Sequence, residues 1–447
     1  MNKSSQIGEP NQLTKKTNIR WLGGSLVMWL CFVAYLDRSA FSVSATPIMN
    51  IFKISPIQFG LATTAFSIGY FIFQIPGAML VEKKGSRTML TISLVFWSIF
   101  TVATGSVWSF LSLIFVRFFF GIGEAPLFPA GNNFFANWFP KNERGRANSL
   151  MNGGSFFANI VGPPIIVAIV SLLGWRSPFY VIGIIGIISA IFAYKFLRNH
   201  PEEHPLVGKL ELSYIQGNNF DNKSKGNEKP KSQWTAFLKQ RSFWMIAVGY
   251  FATLWVVQFF MFWLPYYLQA TRNLTFKSMG FYTSIPWIAI TISVFIAGLI
   301  SDNLLKRGFS RYKSRNFICA ITLTISGIAL LLSRTAVTPV GNILWISLAL
   351  GMAGFSQTLA WSIATDIGQK YTSTVSGWMN MWGFIAASIV PTVAPVVAKL
   401  WGWNSVLLVN AGVTLLGIVG YLTINTDKPL CTCLLYTSPS PRDGATS

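Results

Sequence analysis

Residues 243–268 read FWMIAVGYFATLWVVQFFMFWLPYYL, a run of 26 residues without a charged side chain. About 20 apolar residues in helical conformation are enough to cross the hydrocarbon core of a bilayer. A membrane-spanning strand would alternate between apolar and polar residues, and this run does not, so it predicts a helix. The stretch therefore places the chain among helical membrane proteins.

The rest of the sequence has the same character. Of its 447 residues 52% are hydrophobic and only 11% are charged, whereas soluble domains carry about 25% charged residues. Comparable apolar runs predict about twelve spans, which start near residues 21, 59, 88, 109, 147, 177, 242, 279, 316, 341, 375 and 403. We therefore predict an all-α membrane protein with 12 transmembrane helices.

The net charge of +21 would also suit a nucleic-acid-binding protein, but its distribution along the chain indicates a membrane topology. With the N-terminus inside, 27 of the 35 Lys and Arg residues fall on the inner side and six on the outer side, and Arg38 and Arg117 lie within spans. Positively charged loops stay in the cytoplasm. The pattern predicts a multi-pass protein of the cytoplasmic (inner) membrane with both termini cytoplasmic, the lipid bilayer as partner and no nucleic acid.

The chain contains an internal repeat. Matching residues recur at an offset of 220 early in each half and of 228 later, and the offset changes where the second half has the longer loop KRGFSRYKSRN, residues 306–316. The matching residues are Gly60 and Gly280, Glu82 and Asp302, Gly123 and Gly351, Met151-Asn152 and Met379-Asn380, Pro163 and Pro391, and Gly174-Trp175 and Gly402-Trp403. Two parallel six-helix repeats are typical of secondary transporters, which bind substrate near mid-membrane between the halves.

The repeat divides the chain into segments. We predict a cytoplasmic N-terminus (1–20), a six-helix bundle (21–197), a cytoplasmic linker without regular structure (198–241), a second six-helix bundle (242–425) and a tail (426–447). The tail, which includes KPLCTCLLYTSPSPRDGATS, has no periodicity. We interpret it as foreign to the folded protein.

Four charged side chains fall well inside predicted spans: Asp37, Arg38, Arg117 and Glu124. Each costs at least about 2.5 kcal/mol near the bilayer centre, so each needs a partner or a function. All four lie in the first half. Arg117 and Glu124 are two helical turns apart, about 10 Å along one helix face, so Asp37 or Arg38 could lie between them.

Two interpretations of these charges remain open. They could form a structural salt-bridge cluster, or they could form a site for a proton and an anion. Arginine keeps its charge and offers a fork for a carboxylate, whereas a buried acid can take up a proton. Protonating the acid would free the arginine for a carboxylate substrate.

Several stretches resemble one family. They are YLDRSAFSVSATPI (35–48), AFSIGYFIFQIPGAMLVEKKGSR (65–87), VRFFFGIGEAPLFPAGNNFFANWFPKNERGRA (116–147), HPLVGKLELSYI (204–215) and FWLPYYL (262–268). Together they look like the anion:cation symporter family of the major facilitator superfamily. The chain looks most like its proton-coupled sugar-acid transporters for galactonate, glucarate or hexuronates. The resemblance covers roughly residues 20 to 427 and implies the major facilitator fold.

The resemblance also implies roles for residues. Asp37 and Glu124 match the proton-coupling acids, Arg117 would tune Asp37, and Arg38 or Arg117 would bind the substrate carboxylate. The other positions matched to substrate binding are Tyr70, Ser155, Trp361, Ser362 and Asn380. The positions matched to a cytoplasmic gate loop are Glu82, Lys83, Gly85 and Arg87, with Asp302 in the second half.

Some of these positions have alternatives. Tyr70 and Trp361 could be packing aromatics, and Asn380 could be a helix contact because Asn152 is its repeat partner. Galactonate- and glucarate-type members often have Gln where this chain has Ser155, whereas hexuronate-type members can have Ser. Ser155 therefore leaves the substrate open.

The expected function is import of a small organic anion by proton symport through alternating access. We expect a monomer that is not an enzyme, binds no metal and needs no cofactor besides protons as the coupling ion. One alternative is a transporter or exchanger of another organic anion, such as an aromatic acid. The other is a membrane sensor that binds a solute without moving it.

Overall fold

A computed structural model describes residues 17–140, 143–217, 234–427 and 430. The described chain is almost entirely helical. The helices of the first half are α1 (Ile19–Val43), α2 (Ala45–Phe52), α3 (Pro56–Lys84), α4 (Ser86–Gly105), α5 (Phe110–Glu124), α6 (Leu127–Trp138), α7 (Arg144–Leu173) and α8 (Ser177–Phe196). The remaining helices are α9 (Lys209–Gly217), α10 (Trp234–Leu238), α11 (Arg241–Arg272), α12 (Phe276–Lys306), α13 (Phe317–Thr335), α14 (Pro339–Gly368), α15 (Thr372–Trp401) and α16 (Trp403–Thr423).

Twelve spans within the described residues are long and apolar enough to cross a membrane, as predicted. Their starts lie within four residues of the predicted starts. The fourth span, Phe110–Trp138, consists of α5 and α6, which are separated by a break at Ala125 and Pro126. Proline lacks the backbone N–H that would continue the helix, and neighbouring helices make such breaks tolerable in a membrane.

Local sequence signals fix the ends of these helices. Ser55 and Gln58 form a reciprocal capping box at the start of α3, with Pro56 in the first turn, and both are common start signals. Gly174 and Gly402 end α7 and α15 with φ of +84° each, a conformation that glycine adopts without steric cost. These two glycines are repeat partners, so the repeat extends to backbone conformation.

The spans form two bundles, α1–α8 and α11–α16, as the repeat predicts. We call the ends of the spans next to Ile19, Phe196, Arg241 and Thr423 the linker face, and the other end of the bundles the opposite face. The bundles meet through α3 with α15, α7 with α12, and α1 with α11. Hydrogen bonds between the bundles, within the described residues, lie between mid-height and the opposite face.

Two close helix crossings join the bundles near the opposite face. A Cβ on Gly60 would lie 2.1 Å from the carbonyl oxygen of Pro391. A Cβ on Gly280 would lie 2.9 Å from Cγ2 of Val167 and 3.3 Å from the carbonyl oxygen of Pro163. Both glycines and both prolines belong to the repeat, so the two crossings are equivalent. They hold the bundles together at the opposite face.

The linker contains regular structure, contrary to our expectation. Its helix α9 contacts the start of α1 through Glu211, which accepts hydrogen bonds from Thr17 Oγ1 (2.7 Å), Ile19 N (3.0 Å) and Arg20 N (3.1 Å). Arg20 also binds Glu211 through Nη1 (2.9 Å) and Glu143 through Nε (2.9 Å). Side chains far apart in sequence therefore fix α9 to the first bundle. The predicted tail after Asp427 lies, except for Leu430, outside the described residues.

Candidate functional site

The centre of the site is a buried ion pair between α1 and α5. Arg38 donates from Nε to Glu124 Oε1 (2.9 Å) and Oε2 (3.3 Å), and its Nη2 lies 2.7 Å from Oε1. Both side chains are buried. Both guanidinium nitrogens thus approach Oε1 closely and Nε also reaches Oε2, which makes this a charge-assisted pair. Glu124 is the last residue of α5, next to the break before Pro126.

Asp37 does not pair with Arg38. Successive residues on a helix point about 100° apart, so Asp37 faces α4 while Arg38 faces α5. Asp37 Oδ2 accepts a hydrogen bond from Thr101 Oγ1 (3.1 Å), and its buried Oδ1 has no hydrogen-bond partner among the described residues. A buried carboxylate with an oxygen left unsatisfied is costly when charged, and protonation removes that cost.

Arg117 lies in a cage of aromatic rings rather than on a carboxylate. Its guanidinium carbon is 4.1 Å from the ring centre of Phe41, 4.6 Å from Phe120 and 4.9 Å from Phe66. These distances are typical of cation–π contacts. Arg117 makes no ion pair in the described part of the chain, and its buried Nε has no hydrogen-bond partner there.

Aromatic side chains surround Arg38 as well. Its guanidinium carbon is 4.6 Å from the ring centre of Tyr35 and 5.4 Å from that of Tyr70. Tyr70 in turn stacks on Phe384 of the second bundle, with centroids 4.8 Å apart. The ion pair therefore lies at the boundary between the bundles, at mid-height of the spans.

The predicted substrate residues of the second bundle lie nearer the linker face. Trp361 donates from Nε1 to the hydroxyl of Tyr250 (3.2 Å), and its side chain is exposed. Asn380 lies one turn from Phe384 on the same face of α15 and is half-buried. Ser362 is half-buried, and its carbonyl accepts from Arg315 (3.1 Å).

Ser155 of α7 is buried on the other side of the ion pair. Its hydroxyl donates to Met151 O (3.0 Å) and lies beside the hydroxyl of Tyr35. The structure thus brings Arg38, Glu124 and Ser155 together around Tyr35. Asp37 and Arg117 form a second layer, which is buried closer to the opposite face.

The loop predicted to form a cytoplasmic gate lies between α3 and α4 at the linker face. Glu82 and Lys83 are exposed, and Glu82 makes no ion pair within the described residues. Arg87 binds α8 instead, donating from Nε to Tyr194 O (2.9 Å). Gly85, at φ +81°, packs against Asn199, where a Cβ would clash at 2.4 Å.

The repeat partner of Glu82 on the second bundle is Asp302. It is also exposed and makes no ion pair in the described part of the chain. The acidic residues at these equivalent positions of both bundles are thus exposed at the linker face.

Sequence reasoning missed several members of the site. The missed residues are Tyr35, Phe41, Phe66, Thr101, Phe120, Tyr250 and Gln357. Gln357 lies within reach of the Tyr250 hydroxyl, and its own buried Oε1 has no partner among the described residues. Two of these residues could have been found from the sequence. Tyr35 and Phe120 each lie three residues from an intramembrane arginine and therefore on the same helix face.

Two six-helix bundles around buried charges at mid-height define a membrane transporter. The sequence profile of the Major Facilitator Superfamily matches residues 27–391, and the chain belongs to that superfamily.

Relatives agree with this assignment. A protein of Escherichia coli K12 named "Probable L-galactonate transporter" is 30% identical over 91% of this chain and 90% of its own. A Bacillus subtilis protein named "Probable galactarate/D-glucarate transporter GudP" is also 30% identical, over 92% of each chain. A bacterial homologue of the human lysosomal transporter Spinster shares the fold, with a TM-score of 0.75 at 17% identity over 91% of this chain and 97% of that one. The predicted resemblance to sugar-acid transporters is confirmed, and the protein is a multi-pass membrane transporter and not an enzyme.

Proposed function

We propose that the protein imports a sugar acid together with protons across the cytoplasmic membrane. The bundles would rock about the mid-height site and open it alternately to either side. The observation that carries this proposal is the two-pronged ion pair of Arg38 with Glu124, buried at the boundary between the bundles. No cofactor other than the coupling proton takes part.

The distribution of Lys and Arg residues supports an orientation of the protein in the membrane. The sequence places 27 of the 35 Lys and Arg residues on the side of the membrane that holds the linker, so we assign the linker face to the cytoplasm. Because the crossings at Gly60 and Gly280 close the opposite face, we assign this structure to a conformation open to the cytoplasm. Substrate release would take place from this conformation.

Proton coupling would follow because Glu124 and the substrate carboxylate compete for the guanidinium group of Arg38. An ionised Glu124 occupies Nε and Nη2 of Arg38, the groups that would bind a substrate carboxylate. Protonating Glu124 removes its charge and with it the Coulombic attraction to Arg38, so only the weaker bond of a neutral acid to the guanidinium remains. Substrate then binds Arg38 only when Glu124 carries a proton. When Glu124 loses the proton, it displaces the substrate carboxylate.

Asp37 would hold a second proton. Its unsatisfied Oδ1 is suited to the neutral acid. Arg117, fixed between three rings, would lower the cost of the charged form when Asp37 releases the proton. Asp37 is buried behind the ion pair and so would act without touching substrate.

The polar side chains around the ion pair suit a polyhydroxylated acid. Tyr70, Ser155, Asn380 and Gln357 carry donors or acceptors for hydroxyl groups, and the exposed ring of Trp361 can pack on C–H faces. The sugar acids named for the relatives, galactonate and glucarate, have both features, and so do hexuronates. An aromatic acid would leave these polar groups without partners.

The test is uptake into vesicles. Purified protein in liposomes receives an inward proton gradient and labelled galactonate, glucarate or glucuronate. We expect wild-type protein to accumulate one of them. Glu124→Gln should still exchange labelled for unlabelled substrate but lose gradient-driven accumulation, because its side chain cannot change charge.

Glu202→Gln is the matched control, since Glu202 is exposed in the linker, and it should transport normally. Full accumulation by Glu124→Gln would refute the coupling role. Substrate binding without movement would instead indicate a sensor, and exchange without dependence on the gradient would indicate an exchanger.

A further inference from the structure

Two apolar grooves lie on the outer surface of the second bundle at the linker face. The first has a volume of about 440 Å³ and is lined by Leu304, Phe309, Tyr312, Lys313, Phe317 and Ile318. The second has about 240 Å³ and runs between α13 and α16, along residues 317–325 and 418–422. Phe317 lines both grooves and is half exposed, so they form one path.

Cations surround the entrance of this path. The segment 306–315 contains Lys306, Arg307, Arg311, Lys313 and Arg315 and no acidic residue. Arg315 binds Asp366 and is thereby neutralised. The other four are exposed and make no ion pair within the described chain, and Asp302, the remaining acid nearby, is exposed as well.

The first bundle carries only a shorter counterpart of this basic segment. The extra residues of the loop 306–316 are those that shift the repeat offset from 220 to 228. In the first bundle the corresponding loop is short, and its Arg87 is bound to the carbonyl and ring of Tyr194. The segment with five cations beside the grooves is therefore specific to the second bundle, since the corresponding loop of the first bundle has three, Lys83, Lys84 and Arg87.

The combination of an apolar path and unpaired cations identifies a ligand class. Groove residues 317–325 extend for about 12 Å along α13, close to the roughly 15 Å depth of one bilayer leaflet. Basic pockets between helices bind anionic lipid headgroups. Phe309, half exposed beside Lys306 and Arg307, lies at the level where aromatic side chains meet headgroups.

We propose that this path is a binding site for one anionic phospholipid. An acyl chain lies in the two grooves, and the phosphate headgroup binds Lys306, Arg307, Arg311 and Lys313. The site does not depend on which solute the protein carries.

The test compares lipids and variants by native mass spectrometry of the full chain in detergent. The probes are dioleoyl phosphatidylglycerol and dioleoyl phosphatidylcholine, added over a range of concentrations. We expect one phosphatidylglycerol molecule to bind tightly and phosphatidylcholine to bind more weakly. The variant K306Q/R307Q/R311Q should bind phosphatidylglycerol at least about tenfold more weakly, since each cation near an anionic lipid contributes about fivefold.

The control K195Q/K209Q/K239Q removes the same charge from exposed positions elsewhere at the linker face and should bind like wild type. Thr324→Trp fills the second groove from its exposed side and should weaken binding with every cation in place. Equal affinity for phosphatidylglycerol and phosphatidylcholine would overturn the proposal. It would also be overturned if the control variant lost as much phosphatidylglycerol affinity as K306Q/R307Q/R311Q. If inorganic phosphate displaces the lipid, the site binds anions in general, and the proposal of a phospholipid site is overturned.

Discussion

Replacing Gly60 by alanine should open the opposite face. The new Cβ would lie 2.1 Å from the carbonyl oxygen of Pro391, which belongs to helix backbone and cannot rotate away. Ordinary contact begins at 3.4 Å, so α3 and α15 must separate by about 1.3 Å at this point, a distance that a close-packed crossing cannot absorb in place.

The cost follows from the hydrogen bonds beside the crossing. Thr64 Oγ1 donates to Ser388 O (2.9 Å) and contacts Thr392 Oγ1 (2.8 Å), and both contacts join α3 to α15. A separation of about 1.3 Å takes both beyond bonding distance. At about 1 kcal/mol each, the closed face loses about 2 kcal/mol. That shifts the balance toward the form open at this face roughly 30-fold.

Distances between spin labels on the two bundles measure this shift. Cysteines introduced at Asn50 and Lys277, both exposed at the opposite face, would carry the labels after the native cysteines are replaced. Gly60→Ala should lengthen the dominant distance. Gly280→Ala should lengthen it less, because its Cβ would meet the movable methyl of Val167 at 2.9 Å.

Gly298→Ala provides the matched control. It lies within α12, and its Cβ would meet no atom within 4 Å. The label distances should therefore stay as in the parent protein. If Gly60→Ala also leaves them unchanged, the crossing is not what holds this face closed, and the reasoning fails.

Three further substitutions test the site and the linker contact. Arg38→Lys keeps a charge but loses the fork, so substrate affinity in liposomes should fall at least about tenfold while thermal stability changes little; unchanged affinity would remove Arg38 from the binding site. Tyr70→Phe keeps the stack on Phe384, so KM for a sugar acid should rise with kcat retained, and an unchanged KM would make Tyr70 a packing residue. Glu211→Gln should speed hydrogen exchange of residues 209–217 about tenfold or more, because it weakens charge-assisted bonds to the start of α1. Burial opposes ionisation of Glu211, but its hydrogen bonds outweigh burial and hold its pKa below the ordinary 4.5. The wild-type contact should therefore persist between about pH 5 and 8 and weaken only as the pH falls through that lowered pKa.

The spans and the repeat could be predicted because their signals are local. Length and hydropathy define each span, and matched glycines and prolines mark the same turns and crossings in both halves. The four intramembrane charges were also evident, since a charge in an apolar run needs a reason to be there. Their membership in one region of the first bundle followed from sequence alone.

The pairing among those charges could not be predicted. Spacing allowed either Asp37 or Arg38 to lie between Arg117 and Glu124, and only the three-dimensional arrangement of α1, α4 and α5 assigns Thr101 to Asp37 and Glu124 to Arg38. The rings around Arg117 come from three helices, which no sequence period relates. The structure of α9 was missed because its stabilising contacts are with residues more than 190 positions away.

The paired crossings have a consequence for the origin of the chain. Gly60 of the first half contacts Pro391 of the second, while Gly280 of the second approaches Pro163 of the first. In a two-fold interface between identical subunits, every contact occurs twice, the second time with the two subunits exchanged. The two crossings have this form. The closed face thus has the geometry of an interface between two copies of one six-helix unit, which is what duplication and fusion of such a unit would produce.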